Sequence, residues 1–143
     1  MNLLCVTGGR EFTDSKLVWD KLDVANSHQL VDALVNGGAR GVDTFARNWA
    51  LDRRIDIIDV PAIWDNYGKS AGPRRNRLMA RLIAPHISML VAFPGGVGTA
   101  NMIANARQLK IAVFEYSEDG DLVNVHNNPE STVRFNVNLK RFK

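Results

Sequence analysis

Short apolar runs that stop at glycine-rich turns, each turn opening a segment of helical period, recur along this chain. LLCV (3–6) runs into TGGREFTD, DALV (32–35) into NGGARG, and SMLVAF (88–93) into PGGVGT (94–99). Parallel strands cannot be joined by a tight hairpin and need a crossover, which is usually a helix, so this alternation is the signature of βα units in a parallel sheet. The pattern predicts an α/β fold: a single Rossmann-like three-layer domain built on a five-stranded, mainly parallel sheet. A chain of 143 residues, 45% of them apolar, is long enough to bury one continuous core of that kind.

The remaining elements follow from period and punctuation. Thr13 or Asp14 caps a helix over about 15–26 with Leu17, Val18 and Leu22 inward. Val42, Ala46, Trp49 and Ala50 form the stripe of a second helix. IDIIDV (55–60) is a third strand closed by Pro61, and IWDNYGKSAGP after it reads as a polar loop. Pro73 starts a helix to about residue 84 whose buried face is Leu78, Met79, Leu82 and Ile83. Residues 99–109 form the next helix, and IAVFEY (111–116) is the fifth strand. Past Tyr116 the turn signal SEDGD predicts a hairpin with LVNV, and the tail alternates apolar and polar residues at 133, 135, 137 and 139. The expected organisation is a domain over 1–116, with a C-terminal hairpin and tail (117–143) that either completes it or forms a dimer arm.

Composition narrows the function. The formal charge is +3 and the pI near 9.3, a mild excess that suits an anionic ligand or simple solubility. Cys5, inside the first apolar run, is the one cysteine, so disulfides and cysteine-based zinc sites are excluded and a reducing cytoplasmic location is expected. No segment approaches the roughly 18 apolar residues of a spanning helix, and MNLLCVTGG lacks the form of a signal peptide, so no membrane role is expected. His28, His86 and His126 fall far apart in the inferred topology, which predicts three surface histidines, no metal site and no nucleophilic triad.

The turns GGR (8–10), GGARGVD (37–43) and PGGVGT all follow the carboxyl ends of strands and so share one edge of the sheet. Ligands of open α/β sheets bind at that edge, where helix N-termini offer free N–H groups and partial positive charge, and phosphate fits it best. The dinucleotide fingerprint G-x-G-x-x-G is not met, because Asn101 stands at its third glycine. Arg75 falls in the first turn of its helix on the face turned to the core, where a cation opposes the macrodipole and needs an anionic partner. The partner is a ligand, or else Asp43, Asp59 or Asp65. Arg74, Arg77 and Arg81 share the opposite face, which reads as solvated or as a nucleic-acid patch. Lys69 in its glycine-rich loop is placed to close over a phosphate; Trp64 and Tyr67 suit base stacking, with core packing the expectation for Trp64.

VTGGREFTD, GGARGVDTFARNWA, PAIWDNYGKSAGPRRNRLM and VAFPGGVGTANM, in this order and spacing, resemble the YspA/YpsA-related branch of the SLOG superfamily over about residues 3–114. GARGVDTFA also resembles the DNA-processing protein A family, and RRNRLM followed by PGGVGT resembles the Lonely Guy (LOG) phosphoribohydrolases. The resemblance implies a Rossmann-like domain holding a nucleotide or nucleotide-derived ligand at the glycine turns, commonly in a homodimer. Arg75 matches the catalytic arginine of the LOG enzymes, but Met102 stands where their glutamate does, and a thioether cannot act as a general base. Asp43 and Glu11 are the remaining acidic candidates for a catalytic role beside Arg75.

The expected function is therefore binding of a small phosphorylated nucleotide, as sensor or binder, with nucleotide N-glycosidic hydrolysis and single-stranded nucleic-acid binding as alternatives. No further cofactor and no metal are expected. The expected ligand set is Gly8, Gly9 and Arg10 from the first turn, Gly38, Arg40, Gly41 and Asp43 from the second, Lys69, Arg75 and Asn76 before and in the arginine helix, and Gly95, Gly96, Gly98, Thr99 and Asn101 from the fourth. In that set the amides of Gly8, Gly9, Gly95, Gly96 and Gly98 take phosphate, while Asp43 and Asn101 take sugar hydroxyls.

Overall fold

The computed structural model describes residues 1–127; the alternating tail lies outside the described residues. Six strands form one sheet: β1 (Asn2–Thr7), β2 (Ala33–Asn36), β3 (Asp56–Asp59), β4 (Ile87–Ala92), β5 (Ala112–Tyr116) and β6 (Leu122–His126), in the order β3-β2-β1-β4-β5-β6. The first five run parallel, and β6 returns antiparallel to β5 as the hairpin signal predicts. β1 and β4 pair along their whole length, from Asn2 opposite Ile87 to Thr7 opposite Ala92. Their near-continuous apolar sequence is what a central strand covered on both faces requires, and the acidic ends of β3 suit an edge.

The period of two along the strands sorts the core into two halves. Leu4 and Val6 pack with Leu22, Val42 and Trp49 of α1 (Ser15–His28) and α2 (Val42–Asp52). Leu3 and Cys5 pack on the other face with Met79 and Ile83 of α4 (Ala71–Ile83) and Met102 of α5 (Val97–Gln108). The result is the expected three-layer Rossmann-like arrangement. Cys5 is fully buried there, and desolvation pushes its thiol up to about 12. Among the described residues no helix is long and apolar enough to cross a membrane.

Several boundaries differ from the sequence reading. The stretch read as a loop after β3 contains α3 (Trp64–Tyr67), a 3₁₀ turn (Gly68–Ser70) and the first residues of α4, so Pro73 is the third residue of that helix. Any position of a first turn tolerates proline, because its N–H would have no intrahelical acceptor. α5 starts at Val97, which places Gly98 and Thr99 inside the helix. Asp14, not Thr13, caps α1, accepting the Leu17 N–H at 3.0 Å. Leu78, expected inside, is 55% exposed, while Asn76 is buried in its place because its polar atoms find partners there. His126, expected at the surface, is half-buried with Nε2 at 2.6 Å from the Glu115 carboxylate.

At the carboxyl edge the three glycine turns are tied together through one residue. The Gly9 N–H donates to the Pro94 carbonyl at 2.8 Å, joining the first turn to the fourth, and the Gly9 carbonyl accepts the Val42 N–H at 3.3 Å, joining it to the second. A Cβ on Gly9 would lie 2.9 Å from the Pro94 oxygen. Gly41 has φ of 76° and ψ of −126°, and a Cβ there would meet the Gly9 and Arg10 carbonyls, the latter at 2.7 Å. Gly68 also has positive φ, 53°, but open space around it. Gly68→Ala is therefore expected to cost about 1–2 kcal/mol of unfolding free energy through backbone strain alone. Gly41→Ala is expected to cost about 2–5 kcal/mol, because backbone atoms must also move. Denaturant unfolding of the two variants checks this, and equal losses would mean that the tied turns yield easily.

Candidate functional site

The crossover direction reverses between β1 and β4, since β2 and β3 lie on one side of β1 and β4 and β5 on the other. A cavity of about 560 Å³ opens at that point, large enough for a small-molecule ligand. The first turn (Gly8, Gly9, Arg10, Glu11) forms one wall and Asp43 of α2 part of the floor. Lys69, Arg75 and Asn76 border it from the 3₁₀ turn and α4, and Gly96, Gly98, Thr99 and Asn101 from α5 and its entry. Four expected residues do not border it. Gly41 shapes the second turn from behind, and Gly38, with φ of 76°, faces open space. Arg40 is drawn to the surface, pairing with Glu11 at 2.5 Å. Gly95 packs against Thr99 and the Gly9 nitrogen on the far side of the turn.

Arg75 is half-buried, and its partners are neutral oxygens: Nη1 donates to the Gly37 carbonyl and Nε to Asn76 Oδ1 at 2.8 Å. None of Asp43, Asp59 and Asp65 pairs with it directly, and among the described residues no carboxylate lies within ion-pair distance of it. Burial lowers its pKa, while the field of Asp43 raises it. Asp43 is buried within the first turn of α2, where Oδ2 accepts the Ala39 N–H at 3.0 Å and its carbonyl accepts from Asn36 Nδ2 at 2.8 Å. Desolvation pushes its carboxyl up to about 6; the Ala39 hydrogen bond and the charges of Arg75 and Arg10 only partly oppose that. Gly37 stands between the two groups, with a would-be Cβ 2.9 Å from Arg75 Cζ and 3.2 Å from Asp43 Oδ2.

The first turn of α5 supplies the donors. The Ala100 N–H bonds to the Gly96 carbonyl at 3.1 Å, so helix geometry leaves the amides of Val97, Gly98 and Thr99 without intrahelical acceptors. A Cβ at Gly96 or Gly98 would meet nothing within 4 Å; these glycines leave space rather than relieve strain. The Gly9 amide, expected to face a ligand, is instead taken by Pro94. Asn76 is a bracket between helices, its Nδ2 donating to the Gly98 carbonyl at 3.2 Å and to Asn101 Oδ1 at 3.0 Å. Asn101 therefore offers its amide nitrogen to the cavity, its oxygen being used by Asn76 and Asn105.

Sequence reasoning passed over several contributors. Asn36 at the end of β2 is buried and accepts the Gly38 N–H at 2.6 Å, which fixes the second turn; an asparagine closing an apolar run before two glycines was the available signal. Trp64, expected in the core, is 48% exposed at the cavity wall, with the Arg10 guanidinium 5.8 Å from its ring centre. Val97 also borders the cavity and is 89% exposed. Met102 is fully buried between α5 and the sheet and does not face the cavity, so the position of the LOG glutamate is here a core position. Among the described residues no group of three His, Cys, Asp or Glu side chains could hold a metal ion.

Comparison with known proteins places the chain. The sequence profile of the YspA, cpYpsA-related SLOG family matches residues 3–67, which include the first two glycine turns. Over 126 residues the chain is 34% identical to the Gene 61 protein of Mycobacterium phage D29, covering 82% of this chain and 98% of that protein. The X-ray structure of DNA processing protein A (DprA) from Streptococcus pneumoniae superposes with a TM-score of 0.61 at 19% identity, over 81% of this chain. That likeness shows the fold, and the chain spans 50% of the DprA chain. With a family profile across the turns that build the cavity and a relative matched along nearly its whole length, this chain belongs to the YspA, cpYpsA-related SLOG family.

Proposed function

We propose that this protein binds a phosphate-bearing nucleotide, or a compound derived from one, as a sensor or binder in the cavity between β1 and β4. The observation that carries the reading is the half-buried guanidinium of Arg75, whose hydrogen-bond partners among the described residues are neutral, sharing one cavity with the open first turn of α5. An anion placed there gains charge-assisted hydrogen bonds from Arg75 and from the α5 amides, and the helix dipole adds to both. The phosphate site is the amides of Val97, Gly98 and Thr99 with the Thr99 hydroxyl. Gly96 and Gly98 give the ligand room, and Arg10 and Lys69 add positive field. Asp43 and the Asn101 amide nitrogen take sugar hydroxyls, and the exposed face of Trp64 receives a base.

Calorimetric titration with nucleoside 5′-monophosphates, NAD and ADP-ribose tests the reading. At least one is expected to bind, with the corresponding nucleoside lacking phosphate binding far more weakly. Arg75→Ala is expected to weaken binding by about 5–150-fold, about 1–3 kcal/mol. Gly98→Val, which puts a side chain into the vacant space, is expected to abolish it. Binding of the nucleoside as tight as that of its phosphate would remove the anion site.

A second reading, hydrolysis of a nucleotide N-glycosidic bond, is favoured by one observation: a buried carboxyl that holds its proton up to about pH 6 beside an arginine. Asp43 would protonate the departing base while water attacks the sugar carbon and Arg75 holds the phosphate. Chromatography of the same compounds after incubation decides between the readings. Base release that Asp43→Asn abolishes supports hydrolysis, and no release across the panel leaves binding alone.

Asp43 also predicts a pH dependence. Folding raises its pKa from the ordinary 3.8 to about 6, so the folded state holds the proton more tightly than the unfolded chain. The stability this confers is complete below about pH 4 and is lost as pH rises through 6. Asparagine accepts the Ala39 N–H without ionising. Asp43→Asn is therefore expected to be more stable than the parent at pH 7.5 by about 1–3 kcal/mol, with the difference vanishing near pH 4. Thermal melts across that range provide the check.

A further inference from the structure

The charge of the chain is divided between the two faces of its sheet. Between Asp65 and Glu115 the sequence contains no Asp or Glu, and that interval holds the whole of α4 and α5. The arginines in ion pairs, Arg40, Arg47 and Arg53, all belong to the part of the chain that forms the opposite layer and its turns. Arg74, Arg77 and Arg81 are exposed on the outer face of α4, and among the described residues none has a carboxylate within ion-pair distance. At 1.5 Å rise per residue they are spaced about 4.5 and 6 Å along the axis. Arg77 and Arg81 are four residues apart, so they repel on the same helix face with no acid between them. A face meant only for solvent would gain from mixed signs; this one is complementary to a polyanion.

The neighbourhood says which polyanion. Tyr67, 46% exposed at the start of this face, lies under the Arg74 guanidinium at 4.4 Å, and Trp64 lies under that of Arg10. Leu78 is exposed between the arginines. Aromatic and guanidinium planes beside phosphate-binding cations are what unpaired bases stack on, and a duplex keeps its bases from such contact. We propose that the outer face of α4, from Trp64 and Tyr67 to Arg81, is a docking track for single-stranded nucleic acid. Its phosphates lie along Arg74, Arg77 and Arg81 and its bases against the rings at the N-terminal end. The track adjoins the cavity and shares Trp64 with it, but Arg74, Arg77 and Arg81 do not border the cavity.

The test is fluorescence anisotropy of a labelled twenty-nucleotide oligothymidylate with the full chain between about 50 and 200 mM salt. Binding is expected to weaken steeply across that range. R74A/R77A/R81A is expected to lose at least about tenfold in affinity and about two units of the slope of log K against log salt, as removal of three phosphate contacts requires. R74K/R77K/R81K is expected to keep the slope but bind more weakly, because ammonium groups do not stack. Melting temperature and mononucleotide binding should be the same in all three proteins. The proposal is overturned if the oligonucleotide fails to bind at the lower salt, if the alanine variant binds as well as the parent, or if a duplex of the same length binds equally tightly. It is also overturned if phosphatidylserine vesicles bind through these arginines and the oligonucleotide does not.

Discussion

Two hydrogen bonds by which Gly9 reaches beyond its own turn hold the candidate site together. Its N–H and its carbonyl reach different turns, so the ends of β1, β2 and β4 are fixed to one another through a single peptide neighbourhood. Loops at a sheet edge are ordinarily its most mobile part, and a site spread over three of them would have to order each one on binding. Here that ordering is done in the fold. The condition is backbone-to-backbone approach too close for side chains, which is why Gly9 and Gly41 have no room for a Cβ. Glycine at these two positions is structural, whereas at 96 and 98 it leaves a vacancy. One motif letter thus serves two physical ends.

The same scaffold sets the electrostatics. Asn36, buried at the end of β2, fixes the second turn through Gly38 and the Asp43 carbonyl, and the turn in turn offers the Gly37 carbonyl to Arg75. The guanidinium is thereby held by neutral oxygens, which orient it without discharging it. Asp43 is near enough to feel that charge; desolvation raises its carboxyl to about 6, so it is mostly ionised at neutral pH and is opposed by the charges of Arg75 and Arg10. Glu11, the other carboxylate at the wall, is turned outward by Arg40. Three cations, Arg10, Lys69 and Arg75, thus border the cavity beside two carboxylates, one of which is already paired.

What was legible in the sequence follows from what kind of force set each feature. The five parallel strands and the hairpin are written in apolar runs and turn residues, since burial and backbone geometry act locally, and they were read to within a residue or two. The segment 63–73 was not, because its short helices are held by local carbonyls such as that of Ile63 and carry no periodic apolar stripe. Leu78 and Asn76 exchanged their expected places for a reason that periodicity cannot supply: a buried amide is tolerated where Arg75, Gly98 and Asn101 satisfy it. Less than half of the cavity's lining follows from the rule that ligands bind at the carboxyl edge, and the contribution of α4 came from the inward arginine. The Gly9 tie could not, since the N–H that looks free in a turn is claimed by a carbonyl more than eighty residues away.

Charge segregation between the two helical layers adds a step that the site alone does not contain. The apolar stripes that bury α4 and α5 fix which of their residues face out, but nothing in packing requires that these two helices lack carboxylates; α1 and α2 pack as well with acids on their outer faces. Fold therefore does not explain the pattern, and solubility would be served equally by mixed signs. Arg75 differs from Arg74, Arg77 and Arg81 only by the helix rotation that turns it inward, so one cation-rich helix presents charge both to the cavity and to the outside. The inward arginine is oriented by Gly37 and Asn76, while on the outer face Arg74 contacts Ser70 and Tyr67 of its own neighbourhood. On the two proposals made above, the oriented arginine serves a small anion chosen by shape, and the repeated ones serve an anion that repeats.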